Sequence, residues 1–197
     1  MLELRKKYKS GSAAEILREA ILTGDIHEGI SITQNDIAIS LGTSRMPVRE
    51  ALISLEYQGL ITRGSNQHVH VNAINDEYIH AVFNDMAMLE IESLKQLTNE
   101  NINSLTECGN QISFHRMIIE FTHAPLRKKM LEIFTEVYFA FVIEHSDNVN
   151  QIQYAFMNLK QAMKNMNHEI IRSCYASYSE VLADELMNIR ERRMNHA

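Results

Sequence analysis

The stretch Ser44-Arg45-Met46-Pro47-Val48-Arg49 carries two guanidinium groups four residues apart. On a helix that spacing puts both on one face. An arginine can donate two hydrogen bonds at once to the O6 and N7 acceptors of guanine, and each such pair discriminates between bases by about 1–3 kcal/mol. Thr43 and Ser44 stand just ahead. A hydroxyl and the N–H groups at a helix start suit a phosphate there. The same residues also fit an ordinary amphipathic helix with two solvated arginines, so context has to decide. Catalysis finds no footing: HExxH, GxGxxG, GxSxG and phosphate-loop patterns are all absent from the sequence. His115 and His123 are eight apart, about 80° around a helix, and form no metal-binding pair. Cys108 and Cys174 are isolated, which predicts a reducing compartment and no disulfide framework.

The elements that must position the two arginines are legible in order. Ser12 reads as a helix cap, followed by Ala13, Ile16, Leu17, Ala20 and Ile21 at helical spacing, with Gly24 as the stop. "DIHEGISI" reads as a connector. Thr33 caps a short helix with Ile37 and Leu41 inward, ended by Gly42. Ser44 caps a third helix, with Pro47 in its first turn, where a missing N–H has no intrahelical partner to lose. Val48, Ala51, Leu52 and Leu55 form its buried face, and Gly59 ends it. Then the period changes to two: "LIT" and "HVHVN" predict strands joined by the turn residues "RGSNQ". Three helices and a hairpin make a winged helix-turn-helix over residues 1–75. In that motif the second helix of the pair enters the major groove by its first turns.

Residues 76–197 read as all-helical, with helices expected near 76–98, 101–122, 125–146, 149–166 and 168–194. Met130, Ile133, Phe134, Val137, Phe141 and Val142 form a stripe wide enough for a bundle interior. The fold class is therefore mainly α, a winged helix-turn-helix followed by a helical bundle.

The chain has 197 residues, is 45% hydrophobic and 22% charged, and carries a net charge of −6. Through Asn75 the eight basic residues balance eight acidic ones, so the whole deficit belongs to the second part. The basic residues of the first part cluster at Arg5, Lys6, Lys7 and Lys9 and at Arg45, Arg49 and Arg63. DNA needs a local basic surface rather than a basic total. The basic N-terminus lacks an apolar signal core, and no apolar run approaches the roughly 18 residues of a membrane helix. A cytoplasmic protein with no membrane partner is expected.

The segment "ITQNDIAISLGTSRMPVREALISLEYQGLI" resembles the DNA-binding motif of the GntR superfamily, whose usual pattern is "LGVSRTPVREAL..LE..GL". The resemblance implies a regulator in which Arg45 and Arg49 contact bases of a short palindrome and the wing tip approaches the minor groove. Its DNA-binding set falls on Thr33, Asn35, Thr43, Ser44, Arg45, Met46, Pro47, Arg49, Gln67 and His68. Asn35 stands where the family usually carries an arginine that reaches DNA. Gln67-His68 stands where it usually carries a wing glycine.

"ISFHRMIIEFTHAPLRKKML" is similar to the "D..FHR.I.E.S.NP.L...L" of the FadR subfamily, whose helical effector domain is called FCD. Many members bind a divalent metal there through an aspartate and three histidines, and a small carboxylate effector beside it. The four ligand positions fall on Gln111, on His115, near Leu159 and near Tyr178. At most one ligand survives, so no metal cofactor is expected. His115 then reads as a hydrogen-bonded interior histidine. His115, Tyr138 and Tyr178 are the candidate effector-pocket residues, although methionine and tyrosine at helical spacing equally fit a plain core. The 37 residues from Tyr78 to Phe114 predict a shortened domain lacking one of the family's helices. The expected protein is a homodimeric repressor, not an enzyme, that binds double-stranded DNA and is released by a small-molecule effector. The alternative is a constitutive regulator whose helical domain only dimerises.

Overall fold

The structure, a computed structural model, describes residues 4–8, 10–64, 68–165 and 167–195, with Lys6 described in its backbone alone. The chain divides into two compact units, Met1–Asn75 with Arg190–Ala197, and Asp76–Ile189.

In the first unit, α1 (Leu4–Lys7) precedes α2 (Ala13–Leu22), β1 (Ser31–Thr33), α3 (Gln34–Leu41), α4 (Arg45–Tyr57), β2 (Ile61–Arg63) and β3 (His68–Val71). Helix α2 begins at a reciprocal cap: the Ser12 hydroxyl accepts from the Glu15 N–H, and the Glu15 carboxylate accepts from the Ser12 N–H. Thr33 and Asp36 repeat the device at α3. Ile16, Leu17, Ala20 and Ile21 of α2 meet Ile37 and Leu41 of α3 and Val48, Ala51, Leu52 and Leu55 of α4 in one buried core. Burying each large aliphatic side chain contributes about 1.5–3 kcal/mol.

The wing is a three-stranded antiparallel sheet in the order β1-β3-β2. Ile32 sits opposite Val69, and Ile61 opposite Val71. Those four are buried, while His68 and His70 alternate outward. The expected hairpin gains a strand that the sequence reading left as a connector. Three residues running straight into the Thr33 cap are too few for a period of two to show.

The second unit contains α5 (Asp76–Leu94), α6 (Asn99–Glu107), α7 (Gln111–Phe121), α8 (Pro125–Ile133), a π-helical segment Phe134–Phe139, α9 (Ala140–His145), α10 (Val149–Lys164) and most of α11 (His168–Asn195). The helix expected over 101–122 is two helices. Thr98 caps α6 and Asn110 caps α7. The expected continuous helix over 125–146 widens at its centre. The π segment buries Thr135, Val137, Tyr138 and Phe139.

Helix α11 gives its residues from Arg190 onward to the first unit, whereas the sequence expectation kept them in the second domain. The Arg190 guanidinium donates to the carbonyls of Ile21 (3.1 Å) and Leu22 (2.7 Å) at the end of α2. Just beyond the same end of α2, Lys7 Nζ donates to Asp25 Oδ1 at 2.6 Å, and the Tyr8 hydroxyl donates to Asp25 Oδ2. Burial raises the Asp25 pKa, but the hydrogen bonds from Lys7 and Tyr8 and the Lys7 charge outweigh it and hold the carboxyl below its ordinary value.

A group with a depressed folded pKa stabilises above its unfolded value near 3.9 and loses that contribution as pH falls through the folded one. Asp25→Asn should therefore lower the thermal midpoint of the full chain at pH 7. The gap to wild type should close as the pH is taken below 4. A gap that persisted at pH 2–3 would show that the Asp25 charge is not what tethers α1.

Candidate nucleic-acid interface

Between α3 and α4 the chain turns in three residues. Gly42 ends α3 in the left-handed region at φ 62°, where a side chain is disfavoured. Thr43 N–H bonds back to the Ala38 carbonyl at 3.0 Å. Ser44 is extended and occupies the cap position of α4, but its hydroxyl makes no capping hydrogen bond, contrary to the sequence expectation. Thr43 and Ser44 are exposed, ahead of a helix whose third residue, Pro47, has no N–H to satisfy.

Buried Val48, Ala51, Leu52 and Leu55 anchor α4 by one face, and the opposite side of its first turn stays in water. Arg45 and Arg49 are both exposed, and so is Met46 at 62%. The Arg45 Nη2 donates to Asn35 Oδ1 of α3 at 3.0 Å. Six of the expected residues, Thr43 to Pro47 and Arg49, thus share the turn and start of α4, and Asn35 joins them through Arg45. Thr33 is engaged as the α3 cap, donating to Asp36 Oδ2 at 2.6 Å and accepting from the Asp36 N–H. His68 is exposed on β3, with Nδ1 3.0 Å from Ser31 Oγ. Gln67 lies outside the described residues.

The other basic residues of the cluster have different employment. Arg63 Nε donates to Glu56 Oε2 at 2.6 Å, and that hydrogen bond lowers the Glu56 pKa. Lys7 serves Asp25. Arg5, on α1, lines a cavity of about 260 Å³ together with Gly11, Ser12, Gly42, Thr43 and Pro47. The basic cluster at the N-terminus was visible in the sequence. That the chain returns Arg5 to the helix-turn-helix turn was not.

The second unit holds a buried polar cluster. His115 Nδ1 lies 2.6 Å from Glu90 Oε1, each residue 1% exposed. His115 Nε2 lies 3.4 Å from the Tyr178 hydroxyl, which donates to Gln111 Oε1 at 2.7 Å. The Tyr178 and His115 rings stack with centroids 5.9 Å apart, and Phe139 meets the imidazole edge-on at 4.3 Å. Burial, then the Glu90 charge, push the Tyr175 and Tyr178 pKa values far up, so both stay neutral phenols. Of the three expected pocket residues, His115 and Tyr178 come together, whereas Tyr138 bonds to Tyr78 at 2.5 Å.

Three of the four positions matched to metal ligands are thus Gln111, His115 and Tyr178, linked to one another. The fourth, Leu159, is fully buried. An amide, a leucine and a neutral phenol are a poor donor set for a divalent ion beside one imidazole. On the surface of the same unit His80, Glu180 and Asp184 bring ligand atoms within 4.8 Å of one another. Both carboxylates are exposed, and His80 Nδ1 stands 3.5 Å from Glu180 Oε2, as in an ordinary surface ion pair.

Helices α2, α3 and α4 with a sheet wing, and arginines exposed on α4, define the winged helix-turn-helix class. Residues 9–71 match the family described as "Bacterial regulatory proteins, gntR family". Over 56 residues it is 41% identical to the uncharacterized HTH-type transcriptional regulator Rv0043c of Mycobacterium tuberculosis, covering 28% of this chain and 22% of that one. YdhC of Bacillus subtilis, also named an HTH-type transcriptional regulator, is 24% identical over 138 residues, 59% of this chain and 62% of that one. The chain therefore matches about a fifth of the first relative's length and under two thirds of the second's.

Two solved structures share the fold along most of both chains. McbR/YncC of E. coli has a TM-score of 0.54 at 19% identity, covering 95% of this chain and 99% of that one. Lar of Listeria monocytogenes, described as controlling the expression of the agr system, has 0.58 at 14% identity, covering 89% and 95%. The architecture expected from the sequence, a winged helix-turn-helix followed by a helical domain, is the one observed.

Removing one member of a buried pair leaves the other without compensation, at a cost of about 3–5 kcal/mol. His115→Ala should show that loss in urea unfolding of the full chain. Combining it with Glu90→Gln should recover part of it. Equal losses in the single and double variants would mean that the two side chains do not act as a pair.

Proposed function

We propose that the protein is a dimeric transcription repressor that binds a palindromic DNA operator through its gntR-family domain. The observation that carries this reading is the first turn of α4, anchored by a buried face and holding Arg45 and Arg49 in solvent. Each arginine donates to a guanine edge. Thr43, Ser44 and the α4 N-terminus receive a phosphate. Met46 packs on an apolar base edge such as a thymine methyl. His68 of the wing approaches the neighbouring groove. Two such domains need a two-fold operator if the dimer is two-fold. The helical domain supplies the dimer contact, and a small-molecule effector that binds the domain better in its DNA-free arrangement releases the operator. The protein acts in the cytoplasm.

The helical domain works without a bound metal in this reading, since Tyr178 bridges Gln111 and His115 by its own hydroxyl. The same link favours the second reading, a constitutive regulator whose helical domain only dimerises, because Tyr178 already occupies Gln111 and His115, where an effector would bind.

The operator is found by selecting bound duplexes from a random pool, and affinities follow by fluorescence anisotropy. Arg45→Ala and Arg49→Ala should each weaken binding to the selected palindrome by about 1–3 kcal/mol while the folding midpoint stays put. Undiminished binding by both variants would remove α4 as the reading helix. Chelator treatment should change neither the thermal midpoint nor operator affinity. A fall in either, restored by zinc or manganese, would overturn the metal-free reading. A thermal-shift screen with small carboxylates separates the effector reading from the constitutive one.

A further inference from the structure

Arg45 is one of the two base-reading arginines of the proposed function. It sits at the first helical position of α4, exposed, on a long side chain. Its one described hydrogen bond runs to Asn35, in the first turn of α3. We infer that Asn35 is a specificity-determining positioning residue, which aims the Arg45 guanidinium at a single base pair of each half-site by accepting its Nη2–H. This rests on the DNA-binding reading above.

Three observations support the assignment. The bond at 3.0 Å uses one of the five guanidinium N–H groups, which leaves enough donors for a bidentate pair with guanine. The tether is also a neutral amide. Lys7 and Arg63 are each held by a carboxylate, Asp25 and Glu56, and their charge is already answered within the protein. Arg45 is steadied without being neutralised, so its full charge remains for the DNA. Finally, the one carboxylate next to Asn35 in sequence is turned away. Asp36 Oδ2 accepts from the Thr33 hydroxyl and from the Thr33 N–H, which commits it to the α3 cap. The cap therefore does two things: it starts α3, and it keeps an anion from competing with Asn35 for the guanidinium.

A held arginine donates from a fixed direction, and hydrogen-bond readout depends on that direction. An arginine released from its tether still meets DNA but samples several acceptors. Loss of the tether should therefore blur one base position and leave the general affinity for duplexes much less changed.

The experiment is selection from a random duplex pool with the full-length protein, wild type beside Asn35→Ala, Asn35→Asp and Arg45→Ala, followed by anisotropy on the selected palindrome and on single-base variants of it. Circular dichroism confirms that each variant is folded. Asn35→Ala should reduce discrimination about five- to tenfold at the position that Arg45→Ala also loses, and at no other. The variant that combines Asn35→Ala with Arg45→Ala should be no worse there than Arg45→Ala alone. Asn35→Asp, which keeps the acceptor but adds a charge, should retain the base preference while weakening binding to every duplex alike. Unchanged discrimination in Asn35→Ala overturns the inference. So does a loss at a position that Arg45→Ala leaves intact, which would make Asn35 a base reader itself. So does an equal loss on all duplexes, which would make it a backbone contact. If the wild type enriches no sequence, the DNA-binding reading fails first and this inference falls with it.

Discussion

The packing of α4 constrains everything that the first unit can do. A helix that reads a surface must be fixed by residues that never touch that surface. Val48, Ala51, Leu52 and Leu55 meet this demand by burying one face against α2 and α3. Gly42 supplies the matching constraint at the other end, because its left-handed backbone lets α3 stop and α4 start within three residues. Replace the apolar face and the helix drifts. Replace Gly42 and the turn pays in strain. Arg45 and Arg49 inherit their direction from both.

The second unit answers a different demand. A carboxylate and an imidazole at the centre of a helical bundle are costly unless each finds partners. Glu90, His115, Tyr178 and Gln111 form a chain that crosses three helices, α5, α7 and α11. Rings of Phe139, Phe114 and Tyr178 enclose the imidazole. The π-helical turn belongs to the same solution, since it brings Phe139 inward beside Val137 and Tyr138. A polar link of this kind favours one helix register, because sliding any of the three helices breaks the chain.

Much of this was readable from residue types, and the exceptions have physical causes. The caps at Ser12 and Thr33 and the apolar faces of α2 and α4 repeat often enough to be unmistakable. Strand β1 is three residues long and carries no period of its own; only its pairing with β3 makes it a strand. The break at residues 108–110 did leave a signal: on one continued helix the buried Ile102 and Leu105 would lie on the face opposite Phe114 and Ile118, and Gly109 and Asn110 stand between them. Glu90 did leave a signal. It follows Ile79, Val82, Phe83 and Met86 on the buried stripe of α5, where a lone charge requires a partner, but the identity of that partner is a tertiary fact. The Asn35–Arg45 bond joins two helices across a turn and is likewise invisible in one dimension. The Ser44 cap shows the opposite failure: the residue type fits the position, and the hydroxyl nonetheless makes no bond there.

The hydrogen bonds from Arg190 to the end of α2 have a consequence for how the molecule is made. A ribosome delivers α2, α3, α4 and the wing long before it delivers residue 190. Until then the carbonyls of Ile21 and Leu22 lack that guanidinium, and the nascent first unit is an unfinished object. Its last piece arrives only with the end of α11. The DNA-binding unit is thus not a contiguous stretch of the gene product, and a fragment cut after Asn75 is a different molecule from the unit that the whole chain builds.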